Sequence, residues 1–280
     1  LGPSCKLARD GGHAMTKVLI VGAGPAGIRA AERLVAAGLH PVVVDEGARA
    51  GGQIYRRPPA GFTRPPHVLY GSEARKAVAL HTCFDSMHEA GQLTHHPRSS
   101  VVALGGQVAQ VLGPDGVHAI PYDKLILATG ATDRLAPVPG WQAAGVYSLG
   151  ATQIALKSQG VALGQRIVLA GSGPLLTLVA SQLLKAGARV EAVLDTAPLS
   201  AQVSGAVGMA LARPLMTLRG AVMRARLGRV YHAGITLKAI KADGSGPTAV
   251  QWRDARGRDH ASTCDMVGLG WHLRAETHLA

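Results

Sequence analysis

Val18-Leu19-Ile20-Val21 is an unbroken apolar run that stops at Gly22-Ala23-Gly24-Pro25-Ala26-Gly27, and a helix-forming stretch rich in alanine follows as far as Gly38. A second apolar run, Val42-Val43-Val44, then ends in Asp45-Glu46. Continuous apolar runs of this length suit parallel strands buried on both faces, and the intervening segment suits a crossover helix. Lys17 to Glu46 is therefore predicted to be a β–α–β unit. Downstream, residues 72–90 favour a helix. Ser99–Leu104, Gln107–Leu112 and Val117–Ile120 are short β-rich runs punctuated by Gly105-Gly106 and by Gly113-Pro114-Asp115-Gly116, which predicts a three-stranded meander. Lys124–Thr129 reads as another buried strand ending at Gly130, and Pro137–Trp141 as a crossover.

The pattern then repeats. Arg166–Ala170 runs into Gly171-Ser172-Gly173-Pro174, a helix extends to Gly187, and Val190–Leu194 is a strand ending at Asp195. The interval from second glycine to helix-ending glycine is the same in both copies, Gly24 to Gly38 and Gly173 to Gly187. Such duplication is expected of mononucleotide-binding halves. Residues 200–227 read as one long helical region, and 235–242, 248–253 and 264–269 as a closing β-rich set. The terminal segment Arg274–Ala280 is expected to be helical.

The chemistry follows from the glycines. Only glycine allows the tight strand-to-helix turn and close approach of a pyrophosphate to the backbone, and the helix N terminus presents amides and about half a positive charge to it. Gly22, Gly24 and Gly27 are the candidate cradle, with Pro25 and Ala26 in the first helical turn, where the missing N–H of proline costs little. An acid about 20 residues on is placed to accept from an adenosine ribose. Counting from Gly38 favours Asp45, whereas Asp195 of the second copy aligns with Glu46; both remain candidates. The second loop offers Gly171 and Gly173, with Asp195 as its acid, but Leu176 stands where a third glycine would be.

Composition narrows the classes. The net charge is +12, yet only 4% of residues are aromatic and the arginines are scattered, the densest group being Arg213, Arg219, Arg224, Arg226 and Arg229. That favours a solvated basic face, or one docking an acidic protein partner, over nucleic acid. Cys5, Cys83 and Cys264 lie far apart with no CxxC spacing, which argues against a disulfide scaffold, a zinc site, a redox dithiol or an iron–sulfur cluster held by this chain. The 12 histidines, His95-His96 included, close no metal site. His81 and His88 share a helix face without an obvious carboxylate partner, so loop or surface roles are expected for them. No metal ligand and no catalytic residue is assigned. No run is long enough for a membrane span and no signal-peptide core is visible, so the cytoplasm is the default compartment. Leu1–Ala14 is without periodicity and is expected to be extraneous or disordered, with Met15 as the start.

At this point the residues resemble a family. The two β–α–β units are joined by Leu125-Ile126-Leu127-Ala128-Thr129-Gly130-Ala131, as in flavoprotein reductases with two dinucleotide domains. The narrower likeness is carried by Asp45-Glu46-Gly47-Ala48-Arg49-Ala50-Gly51-Gly52-Gln53-Ile54-Tyr55-Arg56, by Gly171-Ser172-Gly173-Pro174-Leu175-Leu176, and by Gly268-Leu269-Gly270-Trp271-x-Leu273-Arg274-x-Glu276-Thr277. It is similar to the alpha subunits of opine oxidases and of dye-linked proline and D-hydroxyproline dehydrogenases, and to the B component of hydrogen cyanide synthase. The resemblance implies an α/β fold with two Rossmann-like domains in three β/β/α layers. An FAD-type domain at residues 15–140 would be interrupted by an NAD-type domain at 141–280. It implies FAD at the first site, with Gly51, Gly52 and Gln53 near the flavin phosphates or ring and Thr129 and Gly130 near the adenosine or pyrophosphate. Arg56 and Arg57 are candidates for phosphate pairing or for a plain surface role. NAD(H), ATP or ADP, or nothing at all, are the alternatives for the second site. It also implies a heteromer in which a glycine-oxidase-like flavoprotein beta subunit oxidises an amine or imino acid, with or without a small iron–sulfur subunit, while this chain passes electrons to an acceptor other than oxygen. Two rival readings are a self-sufficient NADH-dependent flavin reductase and a non-catalytic ATP- or ADP-binding scaffold. Family members continue past this point with a closing strand bearing a Gly-Asp pair, so the chain is expected to be a fragment.

Overall fold

Val18–Val21 (β1) is buried along its whole length, and the chain leaves it through Gly22 to begin helix Pro25–Ala36 (α1). The computed structural model describes residues 16–59 and 61–280, so the expectations placed on Leu1–Ala14 and Met15 lie outside the described residues. By contacts the chain forms two units, one holding residues up to 55 with 66–129 and 277–280, the other holding 56–65 with 130–276.

In the first unit α1 returns the chain to Val42–Val44 (β2), and Pro66–Tyr70 (α2) and Ala74–Glu89 (α3) lead to Thr94–His96 (β3). The antiparallel strands Ser100–Gly105 (β4), Val108–Gly113 (β5) and Gly116–Pro121 (β6) form the expected meander. Lys124–Leu127 (β7) then completes a parallel sheet in the order β3-β2-β1-β7, with Leu19 opposite both Val42 and Leu125. Alternation along β1 divides the core into two layers. Ile20 and Val43 face the helices, packing with Ile28, Phe84 and Met87. Leu19 and Val21 face the meander and pack on Ala109 and Val111. The edge strand β3 was not evident in the sequence; its three residues include two histidines and present no apolar run.

The second unit repeats these layers. Ala131–Asp133 (β8) and Val146–Ser148 (β9) precede Leu149–Ile154 (α4), which runs on through a π-helical turn to Gln159. Ile167–Ser172 (β10), Pro174–Lys185 (α5) and Val190–Asp195 (β11) form the second β–α–β unit. The helical region beyond is broken into Leu199–Ala212 (α6) and Pro214–Leu227 (α7), because Pro214 has no N–H to continue the helix and holds Arg213 at φ −146° and ψ 73°. Tyr231–Ala233 (β12), Thr236–Asp243 (β13), Gly246–Arg253 (β14), Asp259–Thr263 (β15) and Met266–Trp271 (β16) follow. The parallel sheet has the order β12-β11-β10-β16-β9, and β13-β14-β15 form a separate antiparallel sheet. Ile167, Leu169 and Val193 pack toward α5, while Val168, Ala170 and Leu194 pack on Ile240, Val250 and Trp252 of the meander.

The helix expected at Arg274–Ala280 is absent. Leu273–Ala275 (β17) instead pairs antiparallel with β8, Leu273 opposite Asp133. Hydrogen bonds to a strand distant in sequence outweigh the local helical preference of a short segment.

Glycine is demanded where each first strand meets its loop. Gly22 lies at φ +104°, and a Cβ there would sit 2.3 Å from the carbonyl oxygen of Ala128; Gly171, at φ +150°, would meet the oxygen of Gly270 at 1.7 Å. Gly220, in α7, has nothing within 4 Å. We predict that Gly22→Ala and Gly171→Ala each destabilise the fold by about 1–3 kcal/mol. Gly220→Ala should raise stability by up to about 1 kcal/mol. Urea unfolding midpoints of the three variants test the contrast.

Candidate dinucleotide-binding site

The first glycine loop is built by three backbone approaches. Gly22 N–H donates to the Val44 carbonyl at 2.8 Å, which ties the loop to the end of β2. At Gly27 a Cβ would fall 1.8 Å from the Gly22 oxygen, so α1 rests directly on the loop and only glycine fits between them. The turn Gly51–Tyr55 then closes over the other side. Gly51 N–H donates to the Ala23 carbonyl at 2.8 Å, and a Cβ on Gly52 would stand 2.8 Å from Gly24 Cα. Gly22, Gly24, Gly27, Gly51 and Gly52, singled out from the sequence, are thus brought to one place. Pro25 and the exposed Ala26 open α1 beside them, with neither a side-chain cap nor an acid in the first turn. The orphan amides of that turn suit a phosphate.

Of the two candidate acids, Asp45 turns inward. Its Oδ2 accepts from Ala23 N–H at 2.6 Å and its Oδ1 from Gly47 N–H at 2.7 Å. Glu46 is exposed and accepts from Gln53 Nε2 at 3.4 Å. A carboxylate has about four acceptor positions, so Asp45 holds the loop and retains capacity for ribose hydroxyls. Thr129 follows β7 at the same end of the sheet as the loop. Gly130 belongs to the other unit, where it takes φ +78° and its carbonyl accepts from Glu276 N–H at 3.1 Å.

Two residues that sequence reasoning left aside support the Gly51–Tyr55 turn. His81 Nε2 lies 2.9 Å from the Tyr55 carbonyl oxygen and directly beneath Gly51. Tyr55 is buried, with its hydroxyl donating to Glu73 at 3.3 Å and its ring edge-on to Tyr70. The spacing of His81 and His88 pointed to a helix face but not to the turn it would meet. The proline-rich stretch that includes Arg56 and Arg57 lies in the second unit, where Phe62 and Arg64 stand close to Gly160.

The second loop has the same layout and different contents. The buried Leu176 replaces the third glycine, and its N–H donates to the Gly173 carbonyl at 3.2 Å in a tight first turn. Gly173 takes φ +96°, and a Cβ there would meet the His272 ring at 2.6 Å. Asp195, 5% exposed, accepts from Ala197 N–H at 2.9 Å and from the Tyr231 hydroxyl. Burial, and then the carboxylate of Asp195, push the Tyr231 phenol well above its ordinary range, so it stays a proton donor. Arg224 lies over the Tyr231 ring and donates to Gln202. The sequence registered Asp195 by position; the tyrosine that occupies it comes from β12, where nothing in the local pattern marks it.

Among the described residues no group of three or more His, Cys, Asp or Glu side chains is placed to hold a metal, and no helix is long and apolar enough to cross a membrane. Cys264 is buried and its thiol is pushed up to about 11 by that burial, with Asp265 adding to the shift.

Two successive β–α–β glycine loops, each in a helix/parallel-sheet/meander sandwich, define a protein with two dinucleotide-type folds. Residues 16–220 match the model of the pyridine nucleotide-disulphide oxidoreductases, and the chain belongs to that family. It is 44% identical over 197 residues to the A component of the opine oxidase of Rhizobium meliloti, a match covering 67% of this chain and 36% of that one. It is 36% identical over 275 residues to the HcnB component of the hydrogen cyanide synthase of Pseudomonas aeruginosa, covering 94% and 58%. The chain therefore spans between a third and three-fifths of these curated relatives. The crystal structure of L-proline dehydrogenase from P. horikoshii shares the fold, with a TM-score of 0.60 at 17% identity over 92% of this chain and 42% of that one.

Two outcomes follow. Asp45→Ala should cost about 1–3 kcal/mol, since the Ala23 and Gly47 amides lose their acceptor, and should weaken dinucleotide retention about tenfold or more. Urea unfolding and equilibrium dialysis with FAD measure the two effects. The native Cys264 should not react with a thiol reagent at pH 8, well below its raised pKa, and should react once the chain is unfolded.

Proposed function

We propose that this chain is the dinucleotide-holding subunit of a heteromeric dehydrogenase that acts on amines or imino acids. In this reading FAD sits at the first glycine loop and a partner flavoprotein subunit oxidises the substrate. The observation that carries it is the difference between the two loops. Both helices open with uncapped amides, but at the first loop the facing Gly24 and Gly52 and the partly buried Asp45 leave a cradle matched to a pyrophosphate and ribose. At the second, Leu176, His272 and the Asp195–Tyr231 pair take up the corresponding features. A self-sufficient reductase needs an accessible ribose-binding acid at that second loop, and Asp195 is buried under the Tyr231 hydroxyl, whereas Asp45 is only partly buried. The relatives are named as single subunits of an oxidase and of a synthase, which supports a multi-subunit assembly.

In this assignment Gly22, Gly24, Ala26 and Gly27 hold the pyrophosphate, Asp45 the ribose, and Gly51, Gly52 and Gln53 the side toward the flavin. When bound, the flavin would supply two-electron redox chemistry; the chain's part is binding and electrostatics. Dehydrogenation of a carbon–nitrogen single bond to an imine releases two electrons and two protons, which the complex delivers to an acceptor other than oxygen. Opines, proline, hydroxyproline and glycine are the substrate class.

The test is an absorbance spectrum with mass-spectrometric ligand identification on the full-length protein, purified alone and together with the amine-oxidase-type subunit encoded beside it. Bound FAD that bleaches with partner and amine, and not with NADH alone, is the expected result. Rapid bleaching by NADH without partner would establish the reductase instead. ATP or ADP without flavin would make the chain a nucleotide-stabilised scaffold.

A further inference from the structure

Helix α6 is apolar and has no buried side chain, an arrangement that water does not favour in a helix of this composition. Leu211 at its end is 85% exposed, and Leu215 at the start of α7 is 81% exposed. On α7, Leu215, Leu218 and Val222 recur at the spacing of one helical stripe, and all three are exposed. They line a groove of about 370 Å³ between α5 and α7, whose rim carries Lys185, Arg219 and Arg226. Contiguous exposed leucine and valine of this extent mark interaction surfaces.

The charge says what covers it. From Thr196 to Ala242 the sequence contains five arginines and no Asp or Glu. Arg224 is engaged with Tyr231 and Gln202, whereas Arg213, Arg226 and Arg229 are exposed around the apolar stripe. A second copy of this surface would bring like charges together. A lipid surface fits less well, since residues 197–230 contain no Trp, Phe or Tyr to sit at a headgroup boundary. Gly205, Gly208 and Gly220 have open space outside their Cα atoms, which lets another helix come close.

We infer that the exposed α6–α7 hairpin is the docking element for the partner subunit, and that the groove between α7 and α5 takes an amphipathic helix whose apolar stripe is flanked by Asp and Glu. This rests on the heteromeric reading above and adds the place where the heteromer is joined. Helix-in-groove recognition supplies affinity through the leucines, and the basic rim supplies registry and salt dependence.

The experiment is hydrogen–deuterium exchange of the full-length chain alone, with the co-expressed amine-oxidase-type subunit, and with anionic phosphatidylserine vesicles. Exchange is paired with binding measurements on Leu211→Ser/Leu215→Ser and Arg219→Glu/Arg226→Glu. The hairpin should exchange freely in the isolated chain and become protected in the complex. Each double variant should weaken the complex at least tenfold, and the charge reversal should also flatten its salt dependence. The isolated Leu211→Ser/Leu215→Ser variant should keep the parent melting temperature, because both leucines are exposed and no packing is lost. Protection in the isolated chain would assign the hairpin to the chain's own remainder or to a second copy and overturn the inference. Protection by vesicles, without loss of partner binding in either variant, would overturn it in favour of a membrane surface. A complex that forms with the hairpin unprotected would sink the docking site while leaving the heteromeric reading intact. Failure to form any complex would sink both.

Discussion

The first glycine of each loop lies flat against the carbonyl of the strand that returns beside it, Gly22 on Ala128 and Gly171 on Gly270. The rest of each unit depends on that apposition. With no side chain at this position, the chain turns out of the central strand without pushing its neighbour away, and the parallel ladder stays intact to its end. The helix therefore begins above the strand tips, where its unpaired amides face outward. Any bulkier residue would part the two strands at their ends.

From this common start the units diverge through what fills the second layer of contacts. In the first, Gly27 lets α1 settle on the loop, and Asp45 accepts from the Ala23 amide of the loop and the Gly47 amide of its own turn while staying only partly buried. In the second, Leu176 sits in the core and Asp195 is buried beneath a tyrosine. A buried carboxylate needs such partners, since an unpaired one would be costly in a weakly polar interior. An aspartate at the end of the second strand is in one case partly open to solvent and in the other enclosed as a structural peg.

The sequence was most legible where structure is local. Apolar runs located the central strands, and Gly38 and Gly187, equally spaced from their loops, both adopt positive φ. The Gly105-Gly106 and Gly113–Gly116 punctuation located the first meander. Residues that act through distant partners were harder to read. Tyr231 is 36 residues from Asp195, and His272 reaches Gly173 across the sheet. The last segment had the composition of a helix, yet unpaired groups on β8 were waiting for a strand. The pairing of Asp45 with the loop, rather than with solvent, likewise needed three dimensions to see.

The division of the chain between the units has a consequence for taking the molecule apart. The polypeptide crosses from one unit to the other four times, after residues 55, 65, 129 and 276. A protease that nicks one crossing leaves both halves tethered by the others. Neither unit corresponds to a continuous stretch of gene, so neither is obtained by trimming an end. Each would have to be rebuilt by splicing across the gap left by the other, which makes inheritance of the pair as a single block the simplest course for any lineage that carries it.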